Sequence, residues 1–298
     1  MLFFLAALWG ASFLFIKVAV GEMSPVFLVF GRSLAAALGL AIALPLARVS
    51  LDMLRRHWRP GLVIALFNCA LPYTLIAFSE KSIDSSLAGI LNATAPLWTA
   101  LLSPMWAEAE GLHPRQYGGL ALGFIGTVIL ARPTGSSILS SSSIGVLAVV
   151  LATLSYAFAT HFSKRSFQST PPLVPAFLQC ALGALMLLPL VIFAVPRHVP
   201  SALALGSVLW LGLGATGLAM VIAYRLIKRV GASRTIVVTY LIPPFAVAYG
   251  VGLLHEKVGA AAIIAMVLIL AGVFLNTAPG GRASTPVAPD EAMVELEA

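Results

Sequence analysis

The chain is poor in charge. Of its 298 residues 10% are Asp, Glu, Lys or Arg and 60% are hydrophobic, whereas a soluble domain carries about 25% charged residues. A water-facing surface cannot be built from so few charges, so most of the surface is expected to face lipid. Cysteine is scarce as well. Cys69 and Cys180 each sit in an apolar run without CxxC or metal-ligand spacing; they read as small buried hydrophobes and argue against a disulfide framework. No Asp or Glu falls near the middle of an apolar run, where coupled pumps place a carboxylate. There is no GxxxxGK[ST] loop, no HExxH and no GxSxG, so ATP hydrolysis and the common hydrolytic sites are excluded on motif grounds. No metal or cofactor is expected, and the chain does not read as an enzyme.

Long apolar runs fill the sequence. Crossing a bilayer core takes roughly 20 apolar residues per helix, and runs of that order fall at 2–20, 24–46, 60–79, 85–107, 116–132, 144–163, 172–195, 203–224, 235–254 and 258–277. The breaks carry turn residues or charge, such as Gly21-Glu22, Asp84 and Pro171-Pro172. Met1 leads straight into the first run without a basic leader, so a retained helix is expected there. The stretch around 134–143 is rich in Ser and Gly, and 279–298 is Pro-rich and acidic, a composition expected to stay disordered.

The net charge of +7 has a membrane explanation. With the N-terminus inside, twelve Lys and Arg fall in cytoplasmic segments and five outside, with Arg32 left within a run. That bias predicts both termini in the cytoplasm and leaves no reason to invoke nucleic acid.

The runs repeat. At an offset of 147, Trp9 meets Tyr156, Lys17 meets Lys164, Pro25 meets Pro172, Arg32 meets Gln179 and Pro96 meets Pro243; at 146, Glu110 meets Glu256 and Gly126 meets Gly272. The third pair of runs (60–79 and 203–224) shows little likeness. The expected fold is an all-α integral membrane protein of ten transmembrane helices in two five-helix repeats. An odd count per repeat inverts the second relative to the first, the symmetry of carriers that expose one site to each side in turn. The expected division is 1–133, a 134–143 linker, 144–278 and a 279–298 tail.

Trp9-Gly10-Ala11-Ser12 with Lys17, Pro25 with Arg32, Ala95-Pro96 ahead of Glu110, and Gly118 with Gly126 resemble the first repeat of the drug/metabolite transporter superfamily in its EamA branch. Tyr156-Ala157, Lys164, Pro243-Pro244, Glu256 and Gly272 resemble the second. Tyr156 stands where the family often has Trp. The resemblance covers about 1–278 and is greatest to bacterial exporters of aromatic amino acids of the YddG type. It implies export of small amphipathic metabolites through the inner membrane. It also implies a central cavity between helices 1, 3, 4, 6, 8 and 9, with helices 5 and 10 peripheral. A membrane-embedded enzyme acting on lipids is the alternative from another class, but it would need an acid, base or metal cluster that the sequence does not display. The expected partners are a small-molecule substrate and membrane lipid, with a monomer sufficient for transport.

Polar groups at mid-depth are costly, so each one marks a candidate. Asn68 and Asn92 either bind substrate or hydrogen-bond between helices. Ala88, Asn92, Ala95, Thr99 and Ser103 recur at helical spacing and form one small, polar face. Trp9, Ser12, Tyr73, Trp98, Tyr156 and Tyr240 are further cavity candidates, the aromatics offering stacking faces and donors. Pro96 and Pro243 are expected to bend their helices at matching places. The Gly206–Gly217 segment is expected to permit close, movable helix contacts. Arg32 is read as a structural charge or a contact for a substrate carboxylate. His161 is read as a proton relay or a helix residue near the cytoplasmic surface.

Overall fold

The protein is described by a computed structural model, covering residues 1–106, 114–131, 141–168, 170–230 and 238–277. All regular structure among these residues is helical. In chain order the elements are α1 Leu2–Val20, α2 Pro25–Leu46, α3 Leu51–Arg56, α4 Trp58–Ser79, α5 Ser85–Asn92 and α6 Ala95–Leu102. There follow α7 Pro114–Ala131, α8 Ser141–Ser166, α9 Leu173–Val191, α10 with segments Ala202–Gly212 and Ala219–Val230, α11 Val238–Leu254 and α12 Ala260–Thr277.

Among the described residues 7 helices are long and apolar enough to cross a membrane, and α11 is a shorter apolar helix. Three segments depart from the uniform runs expected. The 85–107 run is split into α5 and α6, α7 starts at Pro114 ahead of the polar Arg115 and Gln116, and α11 begins at Val238 rather than 235. The outer surface carries large apolar side chains, including Ile42, Leu46, Leu185, Phe193 and Leu203. Such a surface is stable in lipid and a liability in water. The 279–298 tail, Glu110 and all but the last positions of the 134–143 linker lie outside the described residues; positions 141–143 already belong to α8.

Local sequence explains several boundaries. Ser24, Ser50 and Ser201 cap α2, α3 and α10, each accepting from the main-chain N–H three residues on at 3.2 Å. The break between α5 and α6 falls at Ala93-Thr94, just before Pro96, whose nitrogen has no hydrogen to offer the carbonyl of Asn92. Thr94 bridges the break, with its hydroxyl on Leu91 O at 2.8 Å and 3.3 Å from Thr153 Oγ1 of α8. At Pro243 there is no such break: α11 runs without interruption through Pro243 and Pro244.

Two π-turns interrupt long helices, Leu66–Ala70 in α4 and Leu213–Leu218 in α10. The Ser155 hydroxyl of α8 donates to Phe67 O at 2.7 Å, and Thr216 Oγ1 donates to Leu211 O at 2.9 Å.

Helices α7 and α12 pack against each other through glycine. A Cβ on Gly272 would meet Gly119 O at 2.4 Å and Gly123 N at 2.9 Å, so the two backbones touch only because that position lacks a side chain. In the Gly206–Gly217 segment the intimate contact is at Gly212, where a Cβ would lie 2.7 Å from Arg32 O. Gly206 faces open space. Elsewhere α1 packs on α10 and α11, α8 on α4, α5 and α6, α2 on α9 and α10, and α4 on α9.

Candidate functional site

Two connected chambers run through the bundle. The inner one, about 360 Å³, lies between α1, α2, α4, α5, α6, α8, α10 and α11. The second, about 450 Å³, continues past Asn92, Ala95, Tyr156, Thr160, Thr239 and Ile242, which line both. It reaches the end of the bundle marked by Ser103, Gln116, His161 and Asn276.

The inner chamber is built around Arg32. Gly212 lets α10 approach its backbone, and Arg32 Nε donates to Thr216 Oγ1 at 3.1 Å. Its guanidinium lies 3.9 Å from the centre of the Tyr73 ring, a cation–π contact. The residue is 6% exposed. The one ion pair among the described residues is Arg56–Asp52 on α3, so none of the described carboxylates lies within ion-pair distance of Arg32. Asn68 Nδ2 donates to Gln179 Oε1 at 2.6 Å. Asn68 and Thr216 both sit in π-turns, irregularities frequent at functional sites. The walls are Trp9, Phe13, Tyr73 and Tyr156, the two tyrosine rings 6.3 Å apart and edge-on. Ser12 faces the chamber with only a long 3.5 Å contact to Leu8 O. Asn92 Oδ1 is buried with no hydrogen-bond partner.

The outer chamber holds Thr99 and Pro96 of α6 with His161 of α8. Thr99 donates its hydroxyl to Ala95 O at 3.0 Å. His161 Nε2 is 2.8 Å from Thr99 O, and its ring stacks on Trp106 at 5.6 Å.

Of the residues singled out from sequence, the structure therefore brings Trp9, Ser12, Arg32, Asn68, Tyr73, Asn92, Pro96, Thr99, Tyr156 and His161 to one cavity system. It places three elsewhere. Trp98 turns away and packs edge-on to Phe124 of α7 at 4.8 Å. Tyr240 hydrogen-bonds Thr277 and faces Phe274, both on α12. Pro243 is buried in α11 off the lining. Helical phase decides this: Trp98 lies between Pro96 and Thr99 in sequence but projects from the other side of α6.

Sequence reasoning missed several positions. Thr216, Gln179 and Asn276 carry no motif; their polarity within apolar runs was the available signal. Asn276 and Gln116 bring α12 and α7 to the outer chamber, and Arg32 brings α2 to the inner one, so the lining is wider than the six helices expected.

The far end of the bundle is tied shut. Lys17 Nζ of α1 donates to Glu80 O and Ile83 O, each at 2.7 Å. Glu256, in the turn before α12, caps α5, accepting from Ser85 N at 2.7 Å, Ser85 Oγ at 2.8 Å, Ser86 N at 2.9 Å and Ser86 Oγ at 2.5 Å. Burial opposes the Glu256 charge, but these four bonds together hold its carboxyl below the ordinary range. Glu80 is 1% exposed and neither carboxylate oxygen has a partner.

A lipid-facing helical bundle around a polar, aromatic-walled cavity, without a metal-binding cluster among the described residues, is the architecture of a solute carrier. The EamA-like transporter family model matches residues 1–132 and again 143–278, and the chain belongs to that family. It is a multi-pass membrane transporter, not an enzyme. It is 25% identical over 272 residues to the uncharacterized transporter YoaV of Bacillus subtilis, covering 91% of this chain and 93% of YoaV. It is 26% identical to the uncharacterized inner membrane transporter YedA of Escherichia coli K12, covering 93% and 89%. It is 28% identical to a probable amino-acid metabolite efflux pump of Salmonella typhimurium, covering 90% of each. A solved crystal structure 25% identical in sequence superposes with a TM-score of 0.65, over 93% of this chain and 96% of that one.

Proposed function

We propose that the protein exports amino acids, aromatic ones included as in the YddG-type exporters, or similar small amphipathic metabolites. Export is across the inner membrane, by alternating access around the central cavity. The observation that carries this reading is Arg32: a buried guanidinium facing a cavity and ion-paired to no carboxylate among the described residues. Leaving such a charge unpaired is costly, and a substrate carboxylate would complete it. Asn92 Oδ1, an acceptor with no partner, suits the ammonium group, and Trp9, Phe13, Tyr73 and Tyr156 suit an apolar or aromatic side chain. The name of the Salmonella relative points the same way.

Alternating access rests on ten crossings in two inverted repeats, 1–133 and 144–278, joined by 134–143 and followed by the tail at 279–298. In this count α5 and α6 form one broken crossing and α3 lies outside the membrane. Three observations support it. The family model matches twice. The π-turns begin at Leu66 and Leu213, 147 residues apart, the offset found in sequence. The packing obeys the exchange of halves: α1 meets α10 and α11 as α8 meets α4 and the α5–α6 pair, and α2 meets α10 as α9 meets α4. Both termini then lie in the cytoplasm by the Lys and Arg bias, and the Lys17 end faces outward.

Purified protein in liposomes, offered a panel of labelled amino acids and their carboxyl-blocked amides, tests the substrate class. Flux of apolar and aromatic amino acids but not of the amides is expected. No flux for any amino acid overturns the amino-acid reading and leaves the family assignment intact.

A further inference from the structure

We propose that the Glu80 side chain is a proton-binding site that locks the Lys17 end of the cavity: that end is shut when Glu80 holds a proton and opens when the proton leaves. This rests on the two-sided access proposed above.

The geometry makes an ionised Glu80 untenable in the shut state. The carboxyl follows the last turn of α4, is 1% exposed and has no hydrogen-bond partner on either oxygen. The charged groups facing it are Lys17 from α1, Glu256 from the turn before α12 and Arg32 from α2. None forms an ion pair with it. The Lys17 ammonium spends two of its donors on main-chain oxygens, one of them that of Glu80 itself. A buried carboxylate with no partner takes up a proton in preference to remaining charged. Burial accordingly pushes the Glu80 carboxyl well above the ordinary range, against the pull of Lys17, while the Glu256 charge pushes the same way.

The position of Glu80 gives that proton a consequence. Lys17 ties α1 to the α4–α5 turn, and Glu256 ties α5 to the α11–α12 turn. Both ties close the end remote from Ser103, His161 and Asn276. When this end opens, water reaches Glu80 and its O–H yields the proton to water. The resulting carboxylate is stable only in water, so this end cannot close over it again until a proton returns. One proton bound in the shut state and lost in the open state changes their ratio by up to tenfold per pH unit. Glu256, held below the ordinary carboxylate range, stays ionised from pH 5.5 to 8.5. Asp84, in the same turn, is exposed; burial of part of its carboxyl and the Glu256 charge raise it while Lys17 lowers it.

The test is a spin-label distance across the Lys17 end, measured on the full chain in lipid nanodiscs without substrate. Labels go on Gly21→Cys at the end of α1 and Lys81→Cys in the α4–α5 turn, both exposed, in a Cys69→Ala, Cys180→Ala background. The short-distance population should dominate at pH 5.5 and decline by pH 8.5. Glu80→Gln, which mimics the protonated carboxyl, should hold the short distance at every pH. A distance distribution that does not change with pH overturns the proposal, as does a Glu80→Gln protein that follows the wild-type curve. The measurement contains no substrate, so failure of the amino-acid reading would appear in the liposome flux and not here.

Discussion

At the residue scale the cavity depends on a few polar side chains placed against aromatic walls. Arg32 is held by Thr216 and Tyr73 and ion-paired to no acid among the described residues. Charge-assisted hydrogen bonds contribute about 1.5–3 kcal/mol, so Arg32→Met should weaken amino-acid binding about 10- to 100-fold, measured by calorimetric titration. Arg32→Lys keeps the charge but loses the planar contact with Tyr73, and should fall between the two. Glu256 makes a different prediction. Its carboxyl is depressed, so the stability it contributes is full above the ordinary carboxylate value and is lost as pH falls through the depressed one. Glu256→Gln should lower stability by about 1–2 kcal/mol near neutral pH. It should also flatten part of the acid limb of thermal unfolding. The chemistry of these residues was legible in the sequence, since a polar group in an apolar run announces itself. Direction was not. Trp98 and Tyr240 had the right chemistry and depth but face α7 and α12, because a rotation of 100° per residue separates lining from packing.

At the element scale, proline position and glycine contact are the levers. Pro96 follows a real break, whereas α11 stays continuous at Pro243. Pro96→Ala restores an N–H toward Asn92 O and should favour a fused α5–α6 helix by up to about 3 kcal/mol. The expected result is a raised melting temperature and slowed flux; Pro243→Ala should change flux less. Gly272→Ala drives a Cβ into the Gly119 carbonyl. Main chain on both sides cannot yield, so a loss of about 1–3 kcal/mol is expected in thermal denaturation. Gly118→Ala meets nothing within 4 Å and should be neutral or stabilising by up to about 1 kcal/mol. The two glycines look alike in the sequence; only the approach of α12 distinguishes them. The π-turns were likewise invisible in the poorly matched third pair of runs, since a single extra residue per turn leaves hydropathy unchanged.

At the scale of the whole molecule, the proposed ten crossings in two inverted repeats place both ends of the chain on one side. Reporter fusions at each terminus should both be cytoplasmic; a split result would remove the even crossing count. Low charge, long apolar runs and the 147-residue offset were enough to place this chain in a membrane and to expect two related halves. Hydropathy and periodicity are properties of the chain itself and survive without coordinates. The tertiary structure alone decided which polar groups share the cavity, that Arg32 forms no ion pair among the described residues, and that Glu80 is enclosed beneath the Lys17 and Glu256 ties. Those are relations between helices distant in sequence. Burial and pairing, which set the cost of a charge, exist only once the helices have packed.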